Sequence, residues 1–215
     1  MPQALARQAE SFLSSVVFGQ RLLVLSDAHV GATPSEVEES LLAFLERAPT
    51  LGDCLLLNGD IFDFWFAYSR LIPRVGFHVA AEIRRVRRRM PVAMVGGNHD
   101  RWGEDFWERD LDVRFAPVRM ELRVGDRRVL AIHGDGVTES HWSAVLLQRI
   151  TRNPAFVTMW KHAPTAFAFW VVDRMTHSLG NTVREDEILR AASERQRAWG
   201  EAQLAQEPGL GCLVM

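Results

Sequence analysis

The chain has 215 residues, 47% hydrophobic and 24% charged, enough to bury one sizeable core and too apolar for a disordered segment. Its 25 Lys and Arg stand against 27 Asp and Glu, so no bulk positive field favours nucleic acid. The two cysteines, Cys54 and Cys212, lie far apart in apolar runs, which excludes a disulfide framework or a Cys-x-x-Cys zinc site and suits a reducing compartment. The first ten residues are polar, with no secretory pattern. The best candidate for a membrane span, Ala155–Val172, is broken by Lys161, His162 and Pro164. The expected location is the cytoplasm.

Arg21–Leu25 is a short apolar run ending in a polar loop, the pattern of a buried strand. From Pro34 to Ala48 the spacing predicts a helix. Pro34 suits its start, Glu36, Glu38 and Glu39 favour its first turns, and Val37, Leu41, Phe44 and Leu45 make one apolar face. Cys54–Leu57 predicts a second buried strand. A second helix is predicted over His78–Met90, with Val79, Ile83, Val86 and Met90 on one face and Pro91 as its stop. Val92–Val95 predicts a third strand. This alternation calls for helices packed on a mostly parallel sheet.

Val118–Val124 then alternates, with Met120, Leu122 and Val124 on one side. Gly125-Asp126 turns the chain into Arg127–Ile132, and Gly suits the first position of a type II′ hairpin turn. Val137 to about Arg184 is rich in Trp, Phe, Met and His without a strand pattern, which reads as short helices. Glu185–Gln206 predicts a longer helix with Ile188, Leu189, Ala192 and Trp199 facing inward. Pro208-Gly209 ends it, and Leu210–Met215 begins a further strand. No repeat or linker divides the chain. Residues 1–215 are therefore read as one α/β domain with a helical insertion at about 137–206.

Four polar clusters each follow an apolar strand: Asp27 and His29, then Gly59-Asp60 with Asp63, then Gly97-Asn98-His99-Asp100, then His133-Gly134-Asp135. Open α/β sheets gather their sites at the carboxyl ends of strands, so one rim would hold all four. Asp, His and Asn offer the O and N donors that suit Mn, Fe, Zn or Mg. Carboxylates and imidazoles crowded on one rim need cations between them, and two ions about 3.5–4 Å apart can clamp a phosphoryl group. Any one cluster alone is a common turn or strand end. Four in order, each directly after a strand, are not explained that way.

The series DAH (27–29), GDIFD (59–63), GNHD (97–100) and HGD (133–135) resembles the calcineurin-like metallophosphoesterases from about Arg21 to Met215. The resemblance implies a layered sheet sandwich flanked by helices and a hydrolase that uses two divalent ions, usually manganese, to activate water. Carried over by position, Asp27 and His29 would hold one ion and Asn98 and His133 the other, with Asp60 bridging them. His99, oriented by Asp100, would protonate the leaving oxygen or neutralise the transition state. The family pattern ends in a Gly-His-x-His that this sequence does not reach. The reading therefore expects an incomplete ligand shell and a piece of a longer chain. His141, His162 and His177 are read as lid or surface residues.

Within that superfamily the sequence is most similar to UDP-2,3-diacylglucosamine hydrolases of lipid A synthesis, in its GDIFDFW run, its HGD placement and the helical stretch before the final motif. This implies water attack on the pyrophosphate of a lipid-linked nucleotide, giving UMP and a lipid phosphate, at the inner-membrane surface. The aromatic segment Phe156–Met175 would form an acyl-binding lid. The basic run Arg84, Arg85, Arg87, Arg88 and Arg89 would face anionic lipid, although both features also fit ordinary helix packing and a solvated face. The sequence departs from those hydrolases at His99, where they usually carry Arg. Two alternatives stay open: a general phosphodiesterase or phosphatase, and a non-catalytic scaffold with a decayed metal site.

Overall fold

A computed structural model describes residues 17–68, 71–103, 105–134, 153–161, 163, 170, 174 and 186–215. Its strands are β1 (Val17–Gly19), β2 (Leu22–Leu25), β3 (Cys54–Asn58), β4 (Val92–Val95), β5 (Arg114–Ala116), β6 (Arg119–Val124), β7 (Arg127–Ile132) and β8 (Leu210–Val214). The helices are α1 (Ser35–Leu51), α2 (Phe77–Arg87), α3 (Pro154–Lys161) and α4 (Asp186–Gln206), and a π-helical turn spans Phe106–Asp110.

The strands form two four-stranded sheets, ordered β2-β3-β4-β5 and β1-β6-β7-β8. The first is parallel throughout, with Leu23 beside Leu55, Leu56 beside Ala93, and Met94 beside Phe115. The second mixes the β6–β7 hairpin with parallel pairs at β1–β6 and β7–β8. Alternation along each strand assigns its side chains to opposite faces. Leu55, Leu57, Val92 and Met94 join Leu41, Leu45, Val79, Ile83 and Val86 of α1 and α2 in one core. Leu56, Ala93 and Val95 face the other way, onto Met120, Leu122, Val129 and Ala131. Helices, parallel sheet and mixed sheet thus stack as the α/β layers expected from the sequence. Strands β3 and β4 are buried along their whole length, as strands of a parallel sheet covered on both faces must be.

Helix α1 runs to Leu51, past the expected end at Ala48, because Pro49 in its last turn forgoes a single amide bond. Helix α2 stops at Arg87 rather than Met90, and the amides of Arg89 and Met90 both close onto the Val86 carbonyl. Among the two residues of the β6–β7 turn only Gly125 has positive φ, at 59°, as a type II′ turn requires. The sequence reading gave no strand at β1 or β5. Each has three residues, too few for a periodic pattern to show. The arginines of α2 are largely engaged. Arg84 reaches the Leu111 carbonyl and the Asp112 carboxylate, Arg87 the Asp112 carbonyl, and Arg85 pairs with Glu46 and Glu82.

Contacts divide the chain into two compact units. The first comprises residues 1–67, 71–133 and 204–215 and contains both sheets. The second comprises residues 68–70 and 134–203. In it, Asn153 accepts the Ala155 amide at the start of α3, and Phe156 stacks on Trp160 one turn later. Trp199 on α4 is half-buried, while the side chains of Ile188, Leu189 and Ala192 lie outside the described residues. Asp135, His141, His162, His177, Phe167, Phe169 and Met175 also lie outside them.

Candidate metal centre

The loops after β2, β3 and β4 are laced together before any side chain is considered. The Asp27 amide donates to the Gly59 carbonyl at 3.1 Å, the His29 amide to Asp60 at 3.0 Å, and the Val30 amide to Ile61 at 3.0 Å. The Asp63 amide returns to the Val30 carbonyl at 3.1 Å, and the Trp65 amide donates to His99 at 3.0 Å. These bonds continue the parallel pairing past the strand ends. They force Asp27, His29 and Asp60 into the left-handed region, with φ of 54°, 44° and 52°. That conformation is uncommon outside glycine, and Asp and His tolerate it better than most.

Asp60 is the centre of the cluster. Its Oδ2 lies 3.2 Å from His133 Nε2 and 3.8 Å from His29 Nε2, while its Oδ1 accepts the His99 amide at 3.0 Å. Burial pushes its carboxyl up, but the neighbouring His133 imidazole and the His99 amide outweigh this and hold it below the usual value. His29 also approaches Asp63, 3.6 Å from Oδ1. That contact raises the His29 pKa against the opposing effect of burial, with Asp60 and Asp27 adding to the rise. Gly97 makes the packing possible. A Cβ there would stand 2.0 Å from Asp60 Oδ1 and 2.4 Å from its amide nitrogen.

Potential ligand atoms gather in two groups that share Asp60. One contains His29, Asp60 and His99, the other Asp27, Asp60 and His133, each with its atoms within 4.8 Å of one another. The ring orientations test whether cations fit. His133 Nδ1 meets the Asn58 carbonyl at 2.8 Å, so it must carry the proton. In neutral imidazole Nε2 then turns a lone pair toward the Asp60 carboxylate, acceptor against acceptor. An ion between them, or a second proton on the ring, resolves that repulsion. A histidine whose far nitrogen donates to a backbone carbonyl is the usual form of a metal ligand. The donor set therefore fits divalent ions.

Asp100 was expected to orient His99, and it does not touch the ring. Asp100 is fully buried, and its oxygens accept the amides of Ile61 at 2.8 Å, Phe62 at 3.5 Å and Gly97 at 2.9 Å. It locks the 59–63 loop to the 97–100 loop, and burial pushes its carboxyl up to about 6 in spite of those amides. The residue at the His99 ring is Asp63. Its carbonyl takes the Nδ1 proton and its Oδ1 lies 3.6 Å from the same nitrogen. Asp63 stood in the second sequence cluster without a role, because adjacency in sequence favoured Asp100. Asn98 is exposed in the turn that presents His99.

The aromatic residues between the loops form the floor. Phe62, Trp65, Phe106 and Trp107 pack with ring centroids 4.5–5.6 Å apart. Trp107 Nε1 donates to the Asp100 carbonyl at 3.3 Å. Phe62 and Trp65 of the GDIFDFW run thus belong to the core that holds the loops, and the sequence offered no signal of the Phe106-Trp107 contribution beyond its apolar character.

The family model described as calcineurin-like phosphoesterase matches residues 20–199. The chain belongs to the calcineurin-like phosphoesterase family. Curated UDP-2,3-diacylglucosamine hydrolases are among its relatives. The Porphyromonas gingivalis protein is 28% identical over 62% of this chain and 53% of its own length. The Bordetella pertussis protein is 28% identical over 78% and 67%. The Stenotrophomonas maltophilia protein is 30% identical over 67% and 58%. This phosphoesterase-family chain therefore spans about half to two thirds of the relatives it matches.

Proposed function

We propose that this protein is a phosphoester hydrolase in which Asp60 and its neighbours would hold two divalent ions, and that it cleaves the pyrophosphate of a UDP-linked acylated sugar. The observation that carries the reading is the His133–Asp60 contact, where the ring meets the Asn58 carbonyl through Nδ1 and sets Nε2 3.2 Å from a buried carboxylate oxygen. By family position Asp27 and His29 would hold one ion and Asn98 and His133 the other, whereas the geometry groups Asp27 with His133 and His29 with His99 about Asp60; in either arrangement the O and N donors suit manganese among other divalent ions. Bound ions would neutralise phosphoryl oxygens and lower the pKa of water.

The remaining roles fall to the chain itself. The Asp63 carbonyl takes the His99 Nδ1 proton and fixes the ring, so that in the doubly protonated imidazolium the second proton, on Nε2, is the one given to the leaving oxygen. Water attacks phosphorus, the bond to the leaving phosphate breaks, and UMP and a lipid phosphate result. Asp100 keeps the two ligand-bearing loops in register. A substrate of this kind sets the reaction at the cytoplasmic surface of a membrane. The named relatives support the acylated nucleotide as substrate, while His99 favours, as second reading, a phosphodiesterase of broader range.

The test is a Mn²⁺ titration of the protein by calorimetry, followed by assay of the loaded form on UDP-2,3-diacylglucosamine and on bis(p-nitrophenyl) phosphate. Two bound ions and release of UMP are expected. Turnover of the simple diester alone would move the second reading to the front. Absence of ion binding would favour a scaffold with a decayed site.

A further inference from the structure

Between Asp63 and Glu82 lie eighteen residues without a carboxylate, and they include Arg70 and Arg74. Within them Leu71, Ile72, Val75 and Phe77 are each 48–55% exposed, while Pro73 is buried. Four large apolar side chains turned to solvent within seven residues are not the scattered exposure normal for a surface. The backbone around them is fixed. Gly76 adopts φ of 75° and packs so closely on Phe62 that a Cβ would lie 2.6 Å from that ring. The Phe77 amide closes a turn onto the Arg74 carbonyl at 3.3 Å. Val75 in turn covers Gly31, where a Cβ would lie 2.6 Å from its methyl and 3.9 Å from Asp63 Cβ. The apolar rim thus adjoins the loop that carries His29 and the residue that holds His99.

We propose that the Leu71–Phe77 rim docks the protein on a lipid bilayer, with the four apolar side chains entering the interface and Arg74 at the level of the phosphates. Apolar side chains interleaved with a cation are the composition of an interfacial anchor. Four half-exposed side chains amount to a few hundred Å², roughly half of the about 800 Å² per partner that a stable protein interface takes. A second copy of the chain is therefore the poorer occupant. Glu36 and Glu38 open α1, which packs beside α2, so apolar insertion rather than net charge carries the binding. The α2 arginines are not the contact, since Arg84, Arg85 and Arg87 are engaged within the fold. The inference rests on the preceding reading only in that a lipid-linked substrate gives the docking a purpose.

The test is co-sedimentation of the protein with phosphatidylethanolamine/phosphatidylglycerol vesicles, beside a Mn²⁺-binding measurement on the same samples. Wild type should bind, and binding should persist in 0.5 M NaCl. The double variant Leu71→Ser with Ile72→Ser should partition at least tenfold more weakly, with melting temperature and Mn²⁺ binding preserved. Arg88→Ser with Arg89→Ser, at the far end of α2, should change partitioning by less than twofold. A wild type that stays in solution, or a double variant that binds equally well, overturns the proposal. So does a rim variant whose only effect is to convert a dimer to a monomer. Because vesicle binding is read without turnover, its failure leaves the phosphoesterase reading standing, and loss of Mn²⁺ binding leaves the docking standing.

Discussion

Gly97→Ala should uncouple the fold from the metal site. The added methyl would stand 2.0 Å from Asp60 Oδ1, 2.4 Å from its amide nitrogen and 2.8 Å from its Cγ. None of these atoms is the far end of a flexible chain. The Asp60 carbonyl takes the His29 amide at 3.0 Å and its Oδ1 takes the His99 amide at 3.0 Å. The carboxylate therefore has to move by about 1.4 Å, from 2.0 Å to the 3.4 Å at which ordinary contact begins, with overpacking that costs about 1–3 kcal/mol. For a chain of this length that is a fall of about 4–8 °C in melting temperature at 2 kcal/mol. The larger effect is on ligation. A cation held at 100 times its Kd stabilises the wild type by about 2.7 kcal/mol, or about 5–10 °C. The variant should lose most of that increment, because the shared carboxylate no longer faces both groups. Thermal denaturation with and without Mn²⁺ reads both quantities. Gly209→Ala is the control, since its Cβ would meet only the Arg128 guanidinium end at 3.1 Å. A Gly97→Ala protein that folds and shows the full Mn²⁺-dependent rise would refute the packing argument and the bridging role of Asp60 together.

Asp60→Asn should keep the fold and lose the Mn²⁺-dependent stabilisation, measured in the same melts; a retained rise of more than half would remove Asp60 from the ligand set. Asp100→Ala should cost about 3 kcal/mol in urea unfolding, since it strips the acceptor from buried amides of Gly97, Ile61 and Phe62. A loss below 1 kcal/mol would show that other groups satisfy them. Asp53 accepts the Gln20 and Arg21 amides, each at 2.8 Å, and the Arg21 amide, then that of Gln20, holds its carboxyl below the usual value. Its contribution is complete above the unfolded pKa of about 4 and is lost as pH falls through the lower folded value. Wild-type urea midpoints should thus drop more steeply than those of Asp53→Asn below about pH 4, and parallel curves would contradict this.

What the sequence disclosed depended on length and locality. The buried runs at Cys54–Asn58 and Val92–Val95 are apolar throughout, and a covered parallel strand has that signature. The hairpin announced itself through Gly125 and the alternation around Met120 and Leu122. Strands β1 and β5 escaped because three residues carry no period, and the π-helical turn because its apolar residues serve the aromatic floor rather than one helix face. The candidate ligands were legible as types at strand ends. Their partners were not. Sequence adjacency favoured Asp100 beside His99, but a side chain in a tight turn need not point toward its neighbour. Asp100 turns inward to buried amides, and Asp63, thirty-six residues away in sequence, supplies the contact to the ring.

Backbone strain separates the rim from ordinary loops. Among the described residues four non-glycine positions have positive φ, and three of them are Asp27, His29 and Asp60. Each such residue costs on the order of 1–3 kcal/mol and persists only where its surroundings hold it. Here the hold is visible: the inter-loop amide bonds from Asp27 to Gly59 and from His29 to Asp60, with Gly97 and Gly59 leaving room for Asp60 and His133. A fold that needed only to connect strands would place glycine or asparagine at those three positions and relax. The chain instead keeps carboxylates and an imidazole in conformations that cost stability, gathered around Asp60, whose carboxyl the His133 ring and the His99 amide hold low. A cation bound among these groups would offset that cost, so the strain at Asp27, His29 and Asp60 fits the ligand proposed for them.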